Sequence, residues 1–283
     1  VSKLTRNHVT VALSGDGGDE LFSGYSRYAL IERRAKALGV IPKQLRSRVR
    51  QVAALLPLDL LERTSHRALS SNRARNALGM LGDNTGLDLY RRAVSMWPET
   101  DQVAMSGVPR RSAAWGGPGG RTDVSQLDMQ LVDIQTYLPE DILTKVDRAS
   151  MAVGLEARVP LLDSEVIDFA FRLRAEHRVQ GSSTKAVLRR VLHRFVPAEL
   201  VERPKMGFAV PLAQWLRGPL RAWAEVLLSQ VNLEGDGLLR ASRVRQTWQA
   251  HVINGVDESF RLWPILMLCQ WAATFKNRVR FGV

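Results

Sequence analysis

Apolar residues recur at helical spacing along most of this chain, and the exception comes near its start. Residues 9–13 (VTVAL) form a short, β-branched, apolar run with little alternation. That pattern predicts a strand covered on both faces, as in a parallel sheet. A glycine-rich acidic turn follows. Residues 20–38 then read as a helix closed by Gly39 and Pro42. Residues 45–56 and 58–69 predict two more helices. Residues 106–122 (SGVPRRSAAWGGPGGRT) break the pattern with five glycines and two prolines, and predict a mobile loop. Helical texture returns at Leu127. Asp163 and Ser164 read as the cap of a helix over 165–173, with Val166, Ile167, Ala170 and Phe171 on one face. Ser183 and Thr184 read as the cap of a helix over 185–195, with Val187, Leu188, Val191, Leu192 and Phe195 inward. Residues 220–228, 241–252 and 262–275 complete a helical second half. No repeat and no second strand is visible. One strand cannot make a sheet, so either further strands escape the pattern or the residues are a piece of a larger α/β domain, and the strand's place at the very start favours the second.

Composition adds little to this picture. The 283 residues are 45% hydrophobic and 24% charged, ordinary for a globular protein with a sizeable core. Cys269 is the single cysteine, which excludes an internal disulfide framework and reads as a core residue in a reducing compartment. Residues 1–8 show no secretory pattern. The longest apolar run, 262–269, is broken by Pro264 and is too short to span a bilayer. A soluble, cytoplasmic protein is expected. The net charge of +12 invites a nucleic-acid reading and equally suits a nucleotide or pyrophosphate site. The densest basic run, KQLRSRVR at 43–50, has no interleaved aromatic and reads as a solvated helix face.

Four stretches carry candidate chemistry. In SGDGGDE, residues 14–20, glycines allow close backbone approach to a ligand, and Asp16, Asp19 and Glu20 can hold Mg²⁺ against phosphate oxygens. The same acids also suit a plain helix start. In YLPEDILTKVDR, residues 137–148, a helix at 100° per residue places Asp141, Lys145 and Arg148 together; an exposed Asp–Lys pair explains them as well. In GLEARVPLLD, residues 154–163, Glu156 and Arg158 alternate in an extended segment, as a buried structural ion pair would. Lys185 falls in the first turn of its helix, where the dipole disfavours a cation, and Lys205 sits in a Pro-Lys-Met-Gly loop. Lysines there suit a pyrophosphate leaving group, and ordinary surface lysines are the alternative.

Taken together, SGDGGDELFSGY, YLPEDILTKVDRASMAVGLEARVPLLD and TKAVLRR with ERPKMGF resemble the synthetase domain of glutamine-dependent asparagine synthetases, in order and spacing, over about residues 9–216. The resemblance implies an α/β fold: a Rossmann-like PP-loop ATPase sheet, of the adenine nucleotide alpha hydrolase-like kind, followed by a mostly helical region. Residues 1–39 would then end the nucleotide-binding sheet, and 40–283 would be mostly helical. It implies that Mg·ATP adenylates a carboxylate, aspartate first among them, and that glutamine-derived ammonia displaces AMP. β-Lactam synthetases and lasso-peptide cyclases share the scaffold, so a sugar acid, a peptide side chain or a β-amino acid stays open as substrate.

Position by position, the resemblance implies Ser14 and Gly15 at the nucleotide or acyl-adenylate and Asp16 beside the reacting acyl group, assisting proton removal. It implies Asp19 at the Mg²⁺-pyrophosphate site and Asp141 on the amino-acid or metal side of the cleft. Lys185 and Lys205 would stabilise the triphosphate and the departing pyrophosphate. A Ser-Gly-Gly-x-Asp-Ser PP-loop and an amino-terminal catalytic cysteine, both features of the family, do not occur in these residues. The expectation is therefore a carboxyl-terminal fragment, inactive alone, with no nucleic-acid or membrane partner and a homodimer left open. Ser23 stands where the family usually has Gly, and is expected inside a helix with little consequence. The competing reading is a non-catalytic basic helical module that binds nucleic acid in a salt-dependent way.

Overall fold

The computed structural model describes residues 1–54, 79–80, 85–97, 103–105, 124–181, 183–201, 210–229 and 238–275. The helix read at 58–69, the loop at 106–122 and the segment carrying Lys205 lie outside the described residues. In order, the elements are α1 (Ser2–Arg6), β1 (Val11–Leu13), α2 (Gly18–Leu21), α3 (Ser26–Gly39), α4 (Lys43–Ala54), α5 (Gly86–Val94) and α6 (Gln126–Gln135). A π-helical segment (Leu138–Leu143), α7 (Thr144–Met151), β2 (Glu156–Arg158) and a 3₁₀ turn (Pro160–Leu162) follow. Then come α8 (Ser164–Arg172), α9 (Ala175–Arg178), α10 (Ala186–Leu192), α11 (Ala198–Val201), α12 (Leu212–Arg217), α13 (Arg221–Leu227), α14 (Ala241–Val252) and α15 (Ser259–Phe275). The chain divides into two units: one of Val1–Leu56, Ala77–Tyr90 and Ala113–Lys205, the other of Pro57–Asn76, Arg91–Ser112 and Met206–Val283.

In the first unit the strand read from the sequence has a partner the sequence did not reveal. β1 pairs in parallel with β2, Val11 opposite Glu156 and Leu13 opposite Arg158. The polar-apolar-polar Glu-Ala-Arg carries no apolar run that would mark a strand. The expected double-sided burial is not found: Val11 is 36% and Leu13 74% exposed. Two three-residue strands cannot cover their own faces. The Glu156–Arg158 pair, at 2.7 Å, is likewise exposed rather than buried. Alternate strand residues share a face, and here that face is open, so water screens the pair and it adds little to stability.

Helices pack the rest of this unit. Tyr28, Ile31 and Ala35 of α3 join Leu89 and Tyr90 of α5 and Met129 and Val132 of α6 in one core. Leu21, Phe22 and Ala170 form a second, against Val166, Ile167, Phe171, Leu162 and Leu188. The face read for α8 is thus the face it buries. Its cap is also as read: the Glu165 N–H donates to Asp163 Oδ1 at 2.9 Å. α6 starts with a capping box, in which the Asp128 N–H donates to Ser125 Oγ and the Ser125 N–H to Asp128 Oδ2.

Two helices depart from the pattern. The helix expected over 20–38 is broken into α2 and α3, because Ser23 takes a left-handed conformation, φ 55°. Ser23 is therefore at a corner, not inside a helix. The helix expected from residue 185 begins at Ala186 and makes no side-chain cap bond. Ala186 is its buried residue, while Val191, Leu192 and Phe195 are exposed, contrary to the inward face expected of them.

In the second unit, Leu216, Ala224, Leu228, Val244, Trp248, Leu262, Ile265, Leu266 and Cys269 build one core from α12 to α15. Cys269 is buried, as read. Among the described residues no helix is long and apolar enough to cross a membrane. The turn between α14 and α15 is fastened by Arg217, whose Nε donates to the His251 carbonyl at 2.9 Å and whose Nη2 donates to those of Gly255 and Val256, each at 3.1 Å. The fully buried His251 ring accepts from the Glu258 N–H at Nδ1, 3.2 Å.

Burial, then the Arg217 guanidinium, hold the His251 imidazole below its ordinary value, outweighing the Val256 carbonyl and the Asp257 carboxylate. Its contribution to stability is therefore present at neutral pH. It declines as pH falls from about 6.5 toward the lower folded value, because the unfolded chain takes up a proton that the folded one refuses. Urea melts at pH 7.5 and 5.5 should show a loss of stability that His251→Gln reduces; equal losses in both proteins would refute it.

Candidate active site

The acidic turn leaves β1 and enters α2. Gly17 sits at φ 79°, and an added Cβ there would collide with the Leu162 side chain, so this corner requires glycine. Ser14 Oγ donates to Asp16 Oδ2. Glu20 is buried and accepts from the Tyr25 hydroxyl at 2.7 Å. Burial, then this hydrogen bond to a carboxylate, push the Tyr25 hydroxyl well above the usual phenol range. Gly15 is open, with nothing within 4 Å of an added Cβ.

Lys185 reaches this turn from the start of α10, with Nζ 3.0 Å from Asp19 Oδ1. Both side chains are partly exposed. Gly24 lies directly against the pair: a Cβ there would collide with Asp19 Oδ1 and Lys185 Cε, and would come within 2.8 Å of Asp19 Cα. Its N–H donates to the Asp19 carbonyl at 2.8 Å. Among the described residues, Ser23 and Lys185 are the non-glycine positions with positive φ, each at 55°. Each such residue costs about 1–2 kcal/mol, and strain of this kind gathers where a geometry is put to use. Here one is the lysine of the ion pair and the other precedes Gly24, which lies against that pair.

Ser14, Gly15, Asp16 and Asp19 thus stand on one turn, and Lys185 is brought to it. Asp141 is not joined to them directly. It lies in the π-helical segment, so the even 100° spacing used to group it with Lys145 and Arg148 does not hold through Leu143. The segment carries Pro139 in its first turn, and Thr144 Oγ1 donates to the Pro139 carbonyl at 2.8 Å. Such π segments often mark functional places in helices. The link to the turn runs through rings. Tyr137 meets Tyr25 edge-on at 6.3 Å, and the Arg27 guanidinium lies 3.8 Å from the Tyr25 ring centre and 5.4 Å from that of Tyr137.

Sequence reading missed the polar core beneath this site. Asp133 Oδ2 accepts from Arg27 Nη2, the Tyr28 hydroxyl and the Tyr90 hydroxyl, each at 2.6 Å. Burial, then the Asp133 charge, push both tyrosines far above their ordinary values. A second buried chain runs from Arg178 to Gln130 to Ser23. The available signals were Asp133 inside the apolar run MQLVDI and the aromatic–basic cluster YSRY at 25–28.

The three acids of the turn face three different partners: Ser14, Lys185 and Tyr25. Among the described residues no three metal-ligating side chains gather in a cluster. The turn therefore does not fit an all-protein metal cage. Asp16 and Asp19 could at most offer one or two carboxylate oxygens to a cation that brings its other ligands with it.

The asparagine synthase family model matches residues 1–273. A protein of Mycobacterium tuberculosis H37Rv that carries the provisional name of a glutamine-hydrolyzing asparagine synthetase is 35% identical over 279 residues, 97% of this chain and 41% of that protein. Asparagine synthetase [glutamine-hydrolyzing] 1 of Bacillus subtilis 168 is 30% identical over 282 residues, 96% of this chain and 41% of its own length. The chain spans about two fifths of the length of these relatives.

Proposed function

Since the chain belongs to the asparagine synthase family, we propose that it supplies the acidic turn and the pyrophosphate-side cations of an ATP-dependent ligase. A carboxylate, aspartate first among candidates, attacks the α-phosphorus of ATP and releases pyrophosphate. Ammonia from glutamine then adds to the acyl carbon, loses a proton and expels AMP, leaving the amide. Glutamine hydrolysis and the phosphate-cradling PP-loop are assigned to other parts of the parent protein.

Ser14 and Gly15 would line the nucleotide or acyl-adenylate, the open Gly15 leaving room for it. Asp16, held by Ser14, would accept the proton from the attacking amine. Lys185 would exchange its partner, turning from Asp19 to the departing pyrophosphate. Lys205, outside the described residues, is assigned beside it. Asp141 would border the amino-acid side. Magnesium, when bound, would neutralise phosphate charge, with Asp19 offering it an oxygen.

The observation that carries this reading is the strained Lys185 paired with Asp19 at 3.0 Å against Gly24. A surface lysine gains nothing from a left-handed backbone. In ATP–pyrophosphate exchange with aspartate, measured on the full gene product, Lys185→Met should lower the rate about 10²-fold or more. Undiminished exchange in that variant would sink the proposal. A panel of other carboxylates in the same assay identifies the substrate.

A further inference from the structure

We propose that Gln130 and Arg178 are positioning residues for the Asp19–Lys185 pair, acting through the backbone of Ser23. The proposal rests on the reading above that this pair meets pyrophosphate. Arg178, Gln130 and Ser23 are 6%, 1% and 2% exposed, so their polar groups depend on partners within the protein, and of the Arg178 nitrogens Nη1 and Nη2 have them while Nε has none among the described residues. Arg178 Nη2 donates to the Ala170 carbonyl at 2.7 Å and to that of Phe171 at 3.1 Å, which anchors the guanidinium at the end of α8. Its Nη1 donates to Gln130 Oε1 at 2.8 Å. That bond sets which way the amide points and turns Gln130 Nε2 to Ser23 Oγ, at 3.1 Å. Burial holds the Arg178 guanidinium below its ordinary value, yet every contact it makes here is one in which it donates.

The chain of bonds ends on a residue that does not favour its own conformation. Ser23 at φ 55° is left-handed, and glycine would take that conformation freely. The next residue, Gly24, bonds the Asp19 carbonyl and leaves no room for a methyl against Asp19 or Lys185. A shift of Ser23 is therefore passed directly to the ion pair. Gln130 and Arg178 act as the clamp that a serine needs at this corner.

This predicts a coupling that simple core packing would not produce. Gln130→Met should lower kcat/KM for ATP in pyrophosphate exchange about tenfold, and in the Ser23→Gly background by less than about twofold, because contacting residues are not additive. Gln130→Glu, which still accepts from Arg178 and also from the Ser23 hydroxyl, should retain the parental value. Amide exchange at Gly24 gives a readout independent of catalysis: Gln130→Met should speed it, and Ser23→Gly should remove that acceleration. If Gln130→Met does not fold, Arg178→Lys should show the same, milder pattern. Equal losses in both Ser23 backgrounds, or no change at Gly24, overturn the inference. Absence of pyrophosphate exchange in the unmodified protein overturns the functional reading instead, and Gly24 exchange then decides the inference alone.

Discussion

Gly24→Ala should bring ATP–pyrophosphate exchange down about 10²-fold, the scale of a catalytic group displaced by an ångström. The methyl would occupy the space of Asp19 Oδ1 and Lys185 Cε. A lysine stem can swing aside, but the Asp19 Cα, 2.8 Å from the added carbon, is backbone. The turn itself must move, which costs about 1–3 kcal/mol as overpacking does. Gly39→Ala is the control. Nothing lies within 4 Å of its added Cβ, and it ends α3, so it should leave exchange at the parental rate. A Gly24→Ala protein with parental exchange would show that the turn and Lys185 do not serve the reaction.

Asp133→Ala should destabilise the protein by about 3–5 kcal/mol, the cost of breaking a buried ion pair by removing one partner. Its side chain is 3% exposed. Removal would strand the partly buried Arg27 charge and two buried tyrosine hydroxyls at once. Against a total stability of roughly 5–15 kcal/mol, that is enough to unfold a marginal protein at physiological temperature. Asp133→Asn retains an acceptor and loses the charge, so its cost should be smaller, about 1.5–3 kcal/mol. Urea midpoints at unchanged slope measure both. A loss below 1 kcal/mol for the alanine variant would mean that water replaces the carboxylate, and that the network does not support the turn above it.

These two positions show different degrees of legibility. The acidic turn was legible because glycines and acids after a β-branched run form a local pattern. Gly17 at positive φ, under Leu162, bears out the turn. The importance of Gly24 was not legible, since nothing between residues 20 and 38 shows that a lysine 161 positions later will lie against it. Asp133 was passed over because one acid in an apolar helix has no sequence-level partner. Its donors come from residues 27, 28 and 90. Lys185 was read in the first turn of its helix, but its left-handed conformation makes it the cap and the helix starts one residue later. Ser23 was read as a helical residue because it falls inside the span 20–38 read as one helix, while its buried hydroxyl meets Gln130 on α6, which Arg178 on α9 holds.

By itself, the sequence determined what near neighbours decide. It set the span of α14, the Asp163 cap, the apolar face of α8 and the turn after β1. Helix periodicity, caps and glycine turns act over a few residues, so their physics is written locally. The tertiary structure alone decided the parallel pairing of Val11 with Glu156, the meeting of Asp19 with Lys185, and the left-handed corner at Ser23. Each depends on contacts between distant segments, where packing and buried hydrogen bonds outweigh local preference by a few kcal/mol.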